Sequence, residues 1–371
     1  MSAKGIALWS AAAVFVVSAA IAITSCGGGT STSGSSSAAG GGGGTIALLL
    51  PETKTARYET QDRPLFEAKV KELCPDCKVL YSNANQDATQ QQSQAEAALS
   101  NGAKVLVIDP VDFASAGPMV AKAKAAGVPV ISYDRLITNA EIDYYVSFDN
   151  EKVGKLQGQA LLDKLTADGS AGGTIVMING SPTDNNAKLF KAGAHSVLDG
   201  KVKIGAEYDT PDWSPDKAQT EMDQAITKLG KTGFVGVYAA NDGTAGGAIA
   251  AMKGAGIDPK TRPTTGQDAE LAAIQRILVD EQYMTIYKAI KPEAEDTAML
   301  AVALVKGEPV PTSLTITKVN NGTKDVDSVI LDPVPVMKDN VKSTVVADGF
   351  WTAADICTSA YAAACKAAGI Q

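Results

Sequence analysis

The stretch "GTIVMINGSPTDNNAKLF" (residues 173–190) contains the pattern that decides the fold. It opens with an apolar run typical of a buried strand and closes with a helix-like run. Asp184, Asn185 and Asn186 stand between the two. One such residue is enough to cap a helix, which we expect to begin at Ala187. Three in a row indicate, in addition, a site for a ligand rich in hydroxyl groups.

The same alternation of strand-like and helix-like runs continues along the chain. The strand-like runs are "TIALLL", "KVLYS", "KVLVIDP", "VPVISYD", "YYVSFDN", "TIVMIN", "VKIGAEY", "FVGVYAAND" and "PTTGQD". This order predicts an α/β fold with parallel sheets and helices on both faces. Because about ten strands are many for one open sheet, we predict two doubly wound lobes. Short strands near residues 313–319 and 328–334 are expected to complete them.

The N-terminus is typical of a targeting segment rather than of the fold. Lys4 precedes an apolar stretch that ends in "ITSC" at Cys26, which resembles a bacterial lipoprotein signal. That signal implies cleavage before Cys26 and acylation of its thiol. A single transmembrane helix is the alternative, since the run is just long enough to span a bilayer. Either interpretation places the rest of the chain outside the cytoplasm. The Gly/Ser-rich residues 27–44 predict a flexible tether.

Cysteine usage agrees with an oxidising compartment. Setting aside the lipidated residue leaves Cys74, Cys77, Cys357 and Cys365, an even number that suggests two disulfides. Three connectivities exist, and closeness in sequence favours Cys74–Cys77 and Cys357–Cys365. We interpret "CPDC" as a structural staple rather than a redox motif. On one continuous helix Cys357 and Cys365 would lie about 12 Å apart, so their pairing requires a turn between them.

Composition excludes several classes of function. The net charge is −8 and no Lys/Arg block is present, so we expect no nucleic-acid partner. The single histidine, His195, gives no basis for a multi-histidine metal site or a Ser-His-Asp triad. We expect it on the surface of a helix, and we expect neither a metal nor a cofactor.

Polar and aromatic side chains recur after the predicted strands, where open parallel sheets bind their ligands. Carboxylates, amides and cations exchange hydrogen bonds with sugar hydroxyls, and aromatic rings stack on the C–H faces of a pyranose. Taken singly, each residue has a structural explanation such as a helix cap or a turn. Their recurrence in both predicted lobes supports a binding site. The candidates are Arg57, Tyr58, Asp134, Arg135, Asp184, Asn185, Asn186, Trp213, Asn241, Asp268 and Lys288.

Longer stretches place these residues in a recognisable setting. They are "YDRLITNAEIDYYVSFDNEKVGKLQ", "GSPTDNNAKLFKAG", "ANDGTAGGAIAAM", "GQDAELAAIQRI" and "MTIYKAI". The combination resembles the xylose-binding proteins of bacterial ABC sugar importers, within the type I periplasmic binding protein family. The resemblance covers roughly residues 45–350 and implies two lobes joined by three crossovers, with a sugar in the cleft. It also implies that Tyr58 and Trp213 stack on the sugar ring while the other candidates bind hydroxyls. Tyr58 stands where the family often has Trp, which leaves the choice between pentose and hexose open.

A domain organisation follows from the pattern and the resemblance. We predict a signal peptide with its lipidated cysteine in residues 1–26, then the tether. The N-terminal lobe comprises residues 45–148 plus 288–319, and the C-terminal lobe residues 149–287 plus 320–350. Residues 351–371 form a tail with a possible disulfide. The crossovers are expected near residues 148–150, 286–288 and 319–322.

The predicted function is capture of a monosaccharide, best matched by D-xylose, and its delivery to the permease of an ABC importer. We expect a monomer that is anchored to the outer face of the cell membrane through its lipid. Binding of glucose or another monosaccharide is the alternative, with a chemosensory receptor as a further partner.

Two other classes of protein share features with this sequence. Paired carboxylates such as Asp134 and Asp184 could serve a glycosidase, but polar groups on every side of a ligand favour binding over catalysis. The ligand-sensing half of a repressor shares the implied fold, and the secretion signal argues against it. We therefore predict that the chain is not an enzyme.

Overall fold

The computed structural model describes residues 43–370. The predicted signal peptide, the Cys26 predicted to be lipidated and nearly all of the predicted tether lie outside these residues. Within residues 43–370, no helix is both long and apolar enough to cross a membrane.

The central strands of the first sheet are apolar runs that are buried on both faces, as parallel strands require. Its strands are β1 (Thr45–Leu50), β2 (Lys78–Asn83), β3 (Ala103–Ile108), β4 (Val130–Tyr133), β5 (Tyr144–Phe148), β10 (Thr317–Asn320) and β11 (Asp325–Leu331). Their spatial order is β10-β11-β5-β4-β3-β1-β2. Every neighbouring pair is parallel except β10 with β11, which form an antiparallel edge.

Helices cover both faces of this sheet. They are α1 (Arg63–Leu73), α2 (Ala88–Ser100), α3 (Gly117–Ala125) and α9 (Ile290–Lys306). Alternate residues of β1 show the division, because successive side chains of a strand point to opposite faces. Leu48 and Leu50 join the core under α1 and α9, whereas Ala47 and Leu49 join the core under α2 and α3. We call this sheet and its helices the first lobe.

The second lobe is built on a shorter parallel sheet. Its strands β6 (Thr174–Asn179), β7 (Lys203–Asp209) and β8 (Gly236–Ala239) lie in the order β7-β6-β8. Single backbone bridges at Thr264 and Gln267 continue the layer to β9 (Met284–Tyr287), so the run predicted as a strand at residues 263–268 is only an irregular extension. Strand β12 (Val334–Met337) pairs antiparallel with β9. The helices are α4 (Asn150–Ala167), α5 (Asn185–Leu198), α6 (Pro215–Leu229), α7 (Asp242–Gly254) and α8 (Leu271–Leu278).

The chain passes between the two sheets three times, at residue 149, at residues 288–289 and at residues 332–333. The predicted third crossover, near residues 319–322, was wrong. Those residues form the hairpin of β10 and β11, and β11 pairs with β5 of the first sheet as far as Leu331. Residues 320–331 therefore belong to the first lobe. The run "SVILDPV", predicted as one short strand, contains the end of β11 and the first residue of β12.

Helix α5 begins at Asn185, two residues before the predicted start. Asp184 is its N-cap, and its Oδ1 accepts a hydrogen bond of 2.8 Å from the amide of Asn186. The cap therefore comes from the first residue of the polar row, which leaves the other two inside the first turn of the helix.

The C-terminal residues fold back on the second lobe. Two short helices, α10 (Ala353–Ile356) and α11 (Ala362–Ala367), are separated by a turn. The turn brings the Cα atoms of Cys357 and Cys365 to 5.8 Å, and their sulfurs are bonded. Cys74 and Cys77 are also bonded, just after α1.

The close crossing of α4 and α5 depends on a missing side chain. A Cβ atom at Gly154 would lie 1.9 Å from the backbone oxygen of Phe190. We expect Gly154→Ala to lower the free energy of unfolding by about 1–3 kcal/mol, because the helices must separate. Urea unfolding measures this change. The matched control is Gly254→Ala at the end of α7, where nothing lies within 4 Å of the new Cβ. It should be neutral or stabilising by up to about 1 kcal/mol. Equal effects of the two variants would contradict the packing argument.

Candidate functional site

A buried cavity lies between the two lobes, where strands of both sheets end. The free space that its side chains leave is small, about 20 Å³. The lining residues are Thr55, Arg57, Tyr58, Asp134, Arg135, Asp184, Asn186, Phe190, Trp213, Asn241, Gln267, Asp268 and Lys288.

Ten of the eleven residues singled out in the sequence line this cavity. The exception is Asn185, which is half-buried at the first position of α5. Successive residues of a helix are rotated by about 100°, so Asn186 reaches the cavity while Asn185 lies to one side. The sequence alone did not show where the helix starts, and therefore did not separate the two.

Three lining residues were missed. Phe190 lies four residues after Asn186 on α5, so the two share one face of the helix. Gln267 directly precedes Asp268 at the same sheet edge. Both signals were present in the sequence. Thr55 lies in an irregular segment after β1, where no periodic pattern indicates which residues are buried.

Arg57 is surrounded by carboxylates. Its Nε and Nη2 atoms donate to both oxygens of Asp62, at 2.9 and 2.6 Å. Nη2 also donates to Glu293 at 2.6 Å, and Nη1 donates to Asp134 at 3.3 Å. Asp268 of the second lobe is 3.9 Å away. A buried guanidinium needs such partners because it has lost its hydration, and here they also fix its plane.

Arg135 joins the lobes on the other side of the cavity. Its Nε lies 3.0 Å from Oδ2 of Asp184 in the second lobe and 3.4 Å from Asp109 in the first. Its Nη2 donates to the hydroxyl of Tyr58 at 3.1 Å, and Glu52 is 3.8 Å away. The Arg135–Asp184 pair is thus a direct ionic contact between the two lobes.

Asp134 lies between these two cations. Its carboxylate accepts hydrogen bonds from Tyr58 at 3.2 Å and from Lys288 at 3.1 Å. Its backbone is left-handed, with φ of 53°, a conformation that is uncommon outside glycine. Its carbonyl oxygen accepts from Ser147 at 2.6 Å and from Asn186 at 3.0 Å. These bonds hold the strained turn and connect it to the second lobe.

Trp213 forms an aromatic wall. Its Nε1 donates to Oδ2 of Asp184 at 3.0 Å, and its ring meets Phe190 edge-on at 6.3 Å between centroids. Gly180 lies against the indole so closely that a Cβ there would be 2.0 Å from the ring. The glycine therefore permits the ring position, and Asp184 fixes its orientation.

Two lining acceptors are left without a hydrogen-bond partner in the described part of the protein. Among residues 43–370, neither Oδ1 of Asp268 nor Oε1 of Gln267 has a hydrogen-bond partner, although both atoms are buried. Asp268 also has a left-handed backbone, with φ of 94°. Buried polar atoms are costly when unpaired, so these atoms indicate a ligand that donates hydrogen bonds.

The carboxyl groups of the cavity differ in the direction in which their pKa values are shifted. Burial raises the pKa of Asp134, but Arg57, Lys288 and Arg135 outweigh it and hold that pKa below its ordinary value. Burial raises the pKa of Asp184 and of Asp268, only partly offset by the cations beside them. Asp134 is therefore the firmly ionised carboxylate of the cavity.

A second set of contacts joins the lobes outside the cavity. The amide of Phe113 donates to the carbonyl oxygen of Thr183 at 3.1 Å, and the Lys188 ammonium lies 3.9 Å from the centre of the Phe113 ring. Gln86 donates to the carbonyl oxygen of Asp212 at 3.3 Å. The lobes are thus in the closed arrangement.

The geometry defines a class of protein. Two α/β lobes joined by three chain crossings enclose a small, polar, largely buried cavity, as in a protein that binds a small solute by closing around it. In the part of the chain that the structure describes, no group of three or more His, Cys, Asp or Glu residues is arranged to hold a metal ion.

The chain belongs to the periplasmic binding protein family. The sequence model described as "Periplasmic binding protein domain" matches residues 46–309. This match confirms the predicted family and its two-lobed α/β fold. Because the family consists of binding proteins, it also answers the glycosidase alternative in favour of binding.

Several known proteins are similar to the chain over most of their length. The D-xylose-binding periplasmic protein of Escherichia coli K12 is 40% identical over 310 residues, which cover 82% of this chain and 90% of that protein. A multiple sugar-binding periplasmic protein of Azospirillum brasilense is 34% identical, covering 84% and 90%. Among solved structures, an ABC transporter solute-binding protein from Clostridium phytofermentans with bound β-D-glucose superposes with a TM-score of 0.76 at 31% identity, covering 84% and 99%.

The buried carboxyl of Glu293 makes the stability of the folded chain depend on pH. It is fully buried beside Arg57, where several other carboxylates compete for the same cation, and burial raises its pKa to about 8. A carboxyl whose pKa is higher in the folded chain than in the unfolded chain stabilises the fold below its ordinary pKa. That contribution is lost as the pH rises toward the folded value. The window therefore runs from the ordinary value of 4.5 to about 8.

We expect Glu293→Gln to remove this contribution. The free energy of unfolding of the wild type should fall relative to the variant by up to about 1.4 kcal/mol per pH unit between pH 5 and 8. Urea unfolding at each pH measures the difference. Asp332→Asn is the matched control, because that carboxylate is largely exposed. Parallel stability profiles for wild type and Glu293→Gln would contradict the assignment.

Proposed function

We propose that the chain binds a monosaccharide, D-xylose or a close relative, between its lobes and delivers it to an ABC importer. The observation that carries the proposal is the small buried cavity lined by carboxylates, cations and amides, with buried acceptors on Asp268 and Gln267 that lack a hydrogen-bond partner among the described residues. Hydroxyl groups supply the missing donors. A neutral ligand is favoured because the cations are already paired with carboxylates.

Each type of lining group has a part in the proposal. Asp134, Asp184 and Asp268 accept hydrogen bonds from hydroxyls, whereas Arg57, Arg135 and Lys288 donate to hydroxyl oxygens, the stronger bonds being those to charged groups. Asn186 and Asn241 supply amides. The Oδ1 atom of Asn241 already caps α7 through the amide of Thr244 at 2.9 Å, so its amide nitrogen is the atom available to a sugar.

The aromatic residues set the position of the ring. Tyr58 and Trp213 lie on different lobes and both line the cavity. A pyranose placed between them would bury its C–H faces against the two rings. Phe190 adds apolar surface beside Trp213.

D-xylose is proposed ahead of other sugars because of the relatives. The D-xylose-binding periplasmic proteins of E. coli and Haemophilus influenzae are 40% and 39% identical to this chain. The solved structures with bound D-glucose, from C. phytofermentans and Chloroflexus aurantiacus, share 31% and 30% identity. They support glucose as the second candidate. A sugar-binding protein of this kind could serve a chemosensory receptor as well as an importer.

Binding is proposed to work through closure of the lobes. A sugar that contacts residues of both lobes binds only when they meet, so it shifts the population toward the closed arrangement. The three crossings act as the hinge. The permease would then recognise a surface that both lobes contribute to.

The N-terminal region is proposed to hold this monomeric protein at the membrane. Residues 1–26 would act as the signal peptide with Cys26 as the lipidated residue, and residues 27–44 as the tether. We expect the membrane-bound wild type to begin at an acylated Cys26, and Cys26→Ser to lose both the acyl groups and the cleavage before residue 26, while sugar affinity stays unchanged. Mass spectrometry of the N-terminus tests this, and a wild type that keeps residues 1–25 without acylation would contradict it.

Calorimetric titration tests the ligand. A chain beginning at Thr45 is titrated with D-xylose, D-glucose, D-ribose, L-arabinose and D-galactose. We expect one-to-one binding with a preference for D-xylose at micromolar affinity or tighter, about −8 kcal/mol. A preference for D-glucose would keep the mechanism and change the ligand. The absence of binding to every sugar would overturn the proposal.

Asp268 provides the most direct test of the site. Asp268→Ala removes a buried charged acceptor and leaves Lys288, whose ammonium lies 3.7 Å away, with less compensation. We expect a loss of about 2–5 kcal/mol in binding free energy, measured by the same titration. The control is Glu72→Ala on α1, an exposed carboxylate that bonds to Lys69 at the surface, which should bind as the wild type does. Wild-type affinity in Asp268→Ala would remove Asp268 from the site.

A further inference from the structure

The C-terminal residues 338–370, here called the cap, lie outside the part of the chain that the family model matches. They follow β12 and contain a π-helical turn (Lys342–Val346), then α10 and α11, which the Cys357–Cys365 disulfide joins. The proposed function makes no use of them.

The cap packs against the second lobe. It shares one apolar cluster with α8, so it is part of the second lobe rather than a loose extension. The buried residues of this cluster include Ile274, Ile277 and Leu278 of α8 and Val341, Val345, Ile356, Cys365 and Ile370 of the cap. Gln275 of α8 also donates to the carbonyl oxygen of Ile356 at 3.2 Å.

One contact of the cap reaches the segment that carries Asp268. The indole Nε1 of Trp351 donates a hydrogen bond of 2.8 Å to the carbonyl oxygen of Ala269. Asp268 and Ala269 both have left-handed backbones, with φ of 94° and 50°, an unfavourable pair for residues other than glycine. Such a turn persists only where its surroundings hold it.

A second contact reaches the segment that carries Lys288. The ring of Phe350 packs against the ring of Tyr287, with 5.0 Å between centroids, and against Trp351 at 5.3 Å. Tyr287 is the last residue of β9 and directly precedes Lys288. The adjacent residues Phe350 and Trp351 therefore contact the segments that carry Asp268 and Lys288, two of the charged cavity-lining residues of the second lobe.

We propose that Phe350 and Trp351, held in place by the disulfide-joined cap, are positioning residues that preorganise Asp268 and Lys288 for the sugar. The inference rests on the proposed function for its ligand. Because the turn is already ordered, less conformational entropy is lost when the sugar binds. A more mobile turn would therefore weaken the affinity without removing any contact to the ligand.

The first test is Trp351→Phe, which keeps an aromatic ring and removes the hydrogen bond to Ala269. We expect the dissociation constant for D-xylose to rise about three- to tenfold, the range of one lost hydrogen bond. The titration is performed at a temperature well below the midpoint of thermal unfolding, where every molecule is folded. A purely structural role of Trp351 would lower that midpoint temperature and leave the dissociation constant of the folded protein unchanged.

The second test uses the two disulfides as a matched pair. The double variant Cys357→Ser with Cys365→Ser removes the disulfide that joins α10 and α11 of the cap. We expect it to weaken sugar binding as Trp351→Phe does. The control, Cys74→Ser with Cys77→Ser, removes a disulfide of the first lobe next to α1. It should keep the wild-type dissociation constant. Equal losses from both pairs would mean that affinity follows general stability, which overturns the proposal.

Hydrogen exchange tests the positioning without any sugar. The amides of Asp268, Ala269 and Glu270 bond to Ile286 O at 2.9 Å, Thr285 Oγ1 at 3.2 Å and Asp242 Oδ2 at 2.9 Å. We expect these amides to exchange faster in Trp351→Phe than in the wild type. Unchanged exchange at all three would overturn the proposal.

The results separate the two claims. If the wild type binds D-xylose and both cap variants bind it equally well, the positioning role is wrong and the proposed function stands. If the wild type binds none of the five sugars, the proposed function fails, and the exchange measurement alone decides whether the cap holds the turn.

Discussion

Asp134 is buried between cations, and this burial constrains how the two lobes meet. Arg57 and Lys288 lie within 3.3 Å of its carboxylate, and Arg135 adds to the same field. Ionised groups removed from water are costly unless each is paired. The strands of two separate sheets must therefore deliver their ends to one place, since Lys288 enters from the second lobe and Arg57 from the first.

The same constraint explains why the site is strained. Asp134, Trp213 and Asp268 all have left-handed backbones, although none is glycine. Each is held by hydrogen bonds to residues outside its own turn: Asp134 by Ser147 and Asn186, Trp213 by Asp184, and Asp268 through its backbone N–H, which donates to the carbonyl oxygen of Ile286. The energy stored in these turns is offset by the packing of both lobes. A ligand with many donors and acceptors then meets groups that are already oriented.

The sequence predicted the architecture because buried parallel strands are continuous apolar runs, and β1, β3 and β6 are clear examples. It predicted most of the cavity because strand ends of parallel sheets converge, which brings Asp134, Trp213 and Asn241 together. The predicted third crossover lies too early in the chain, because nothing in the sequence of the β10–β11 hairpin indicates which of the two sheets it joins. The sequence also could not separate Asn185 from Asn186, because that choice depends on the first turn of α5. The contact of Trp351 with Ala269 joins residues 82 positions apart, and nothing local marks it.

A crystal structure of the chain grown with D-xylose would test directly whether the cavity between the lobes binds the sugar. We expect one pyranose between Tyr58 and Trp213, with hydroxyls within hydrogen-bond distance of Asp134, Gln267 and Asp268. We also expect the Arg135–Asp184 contact between the lobes to be kept. A sugar bound elsewhere, or a cavity that stays filled only with water at saturating D-xylose, would contradict this binding site.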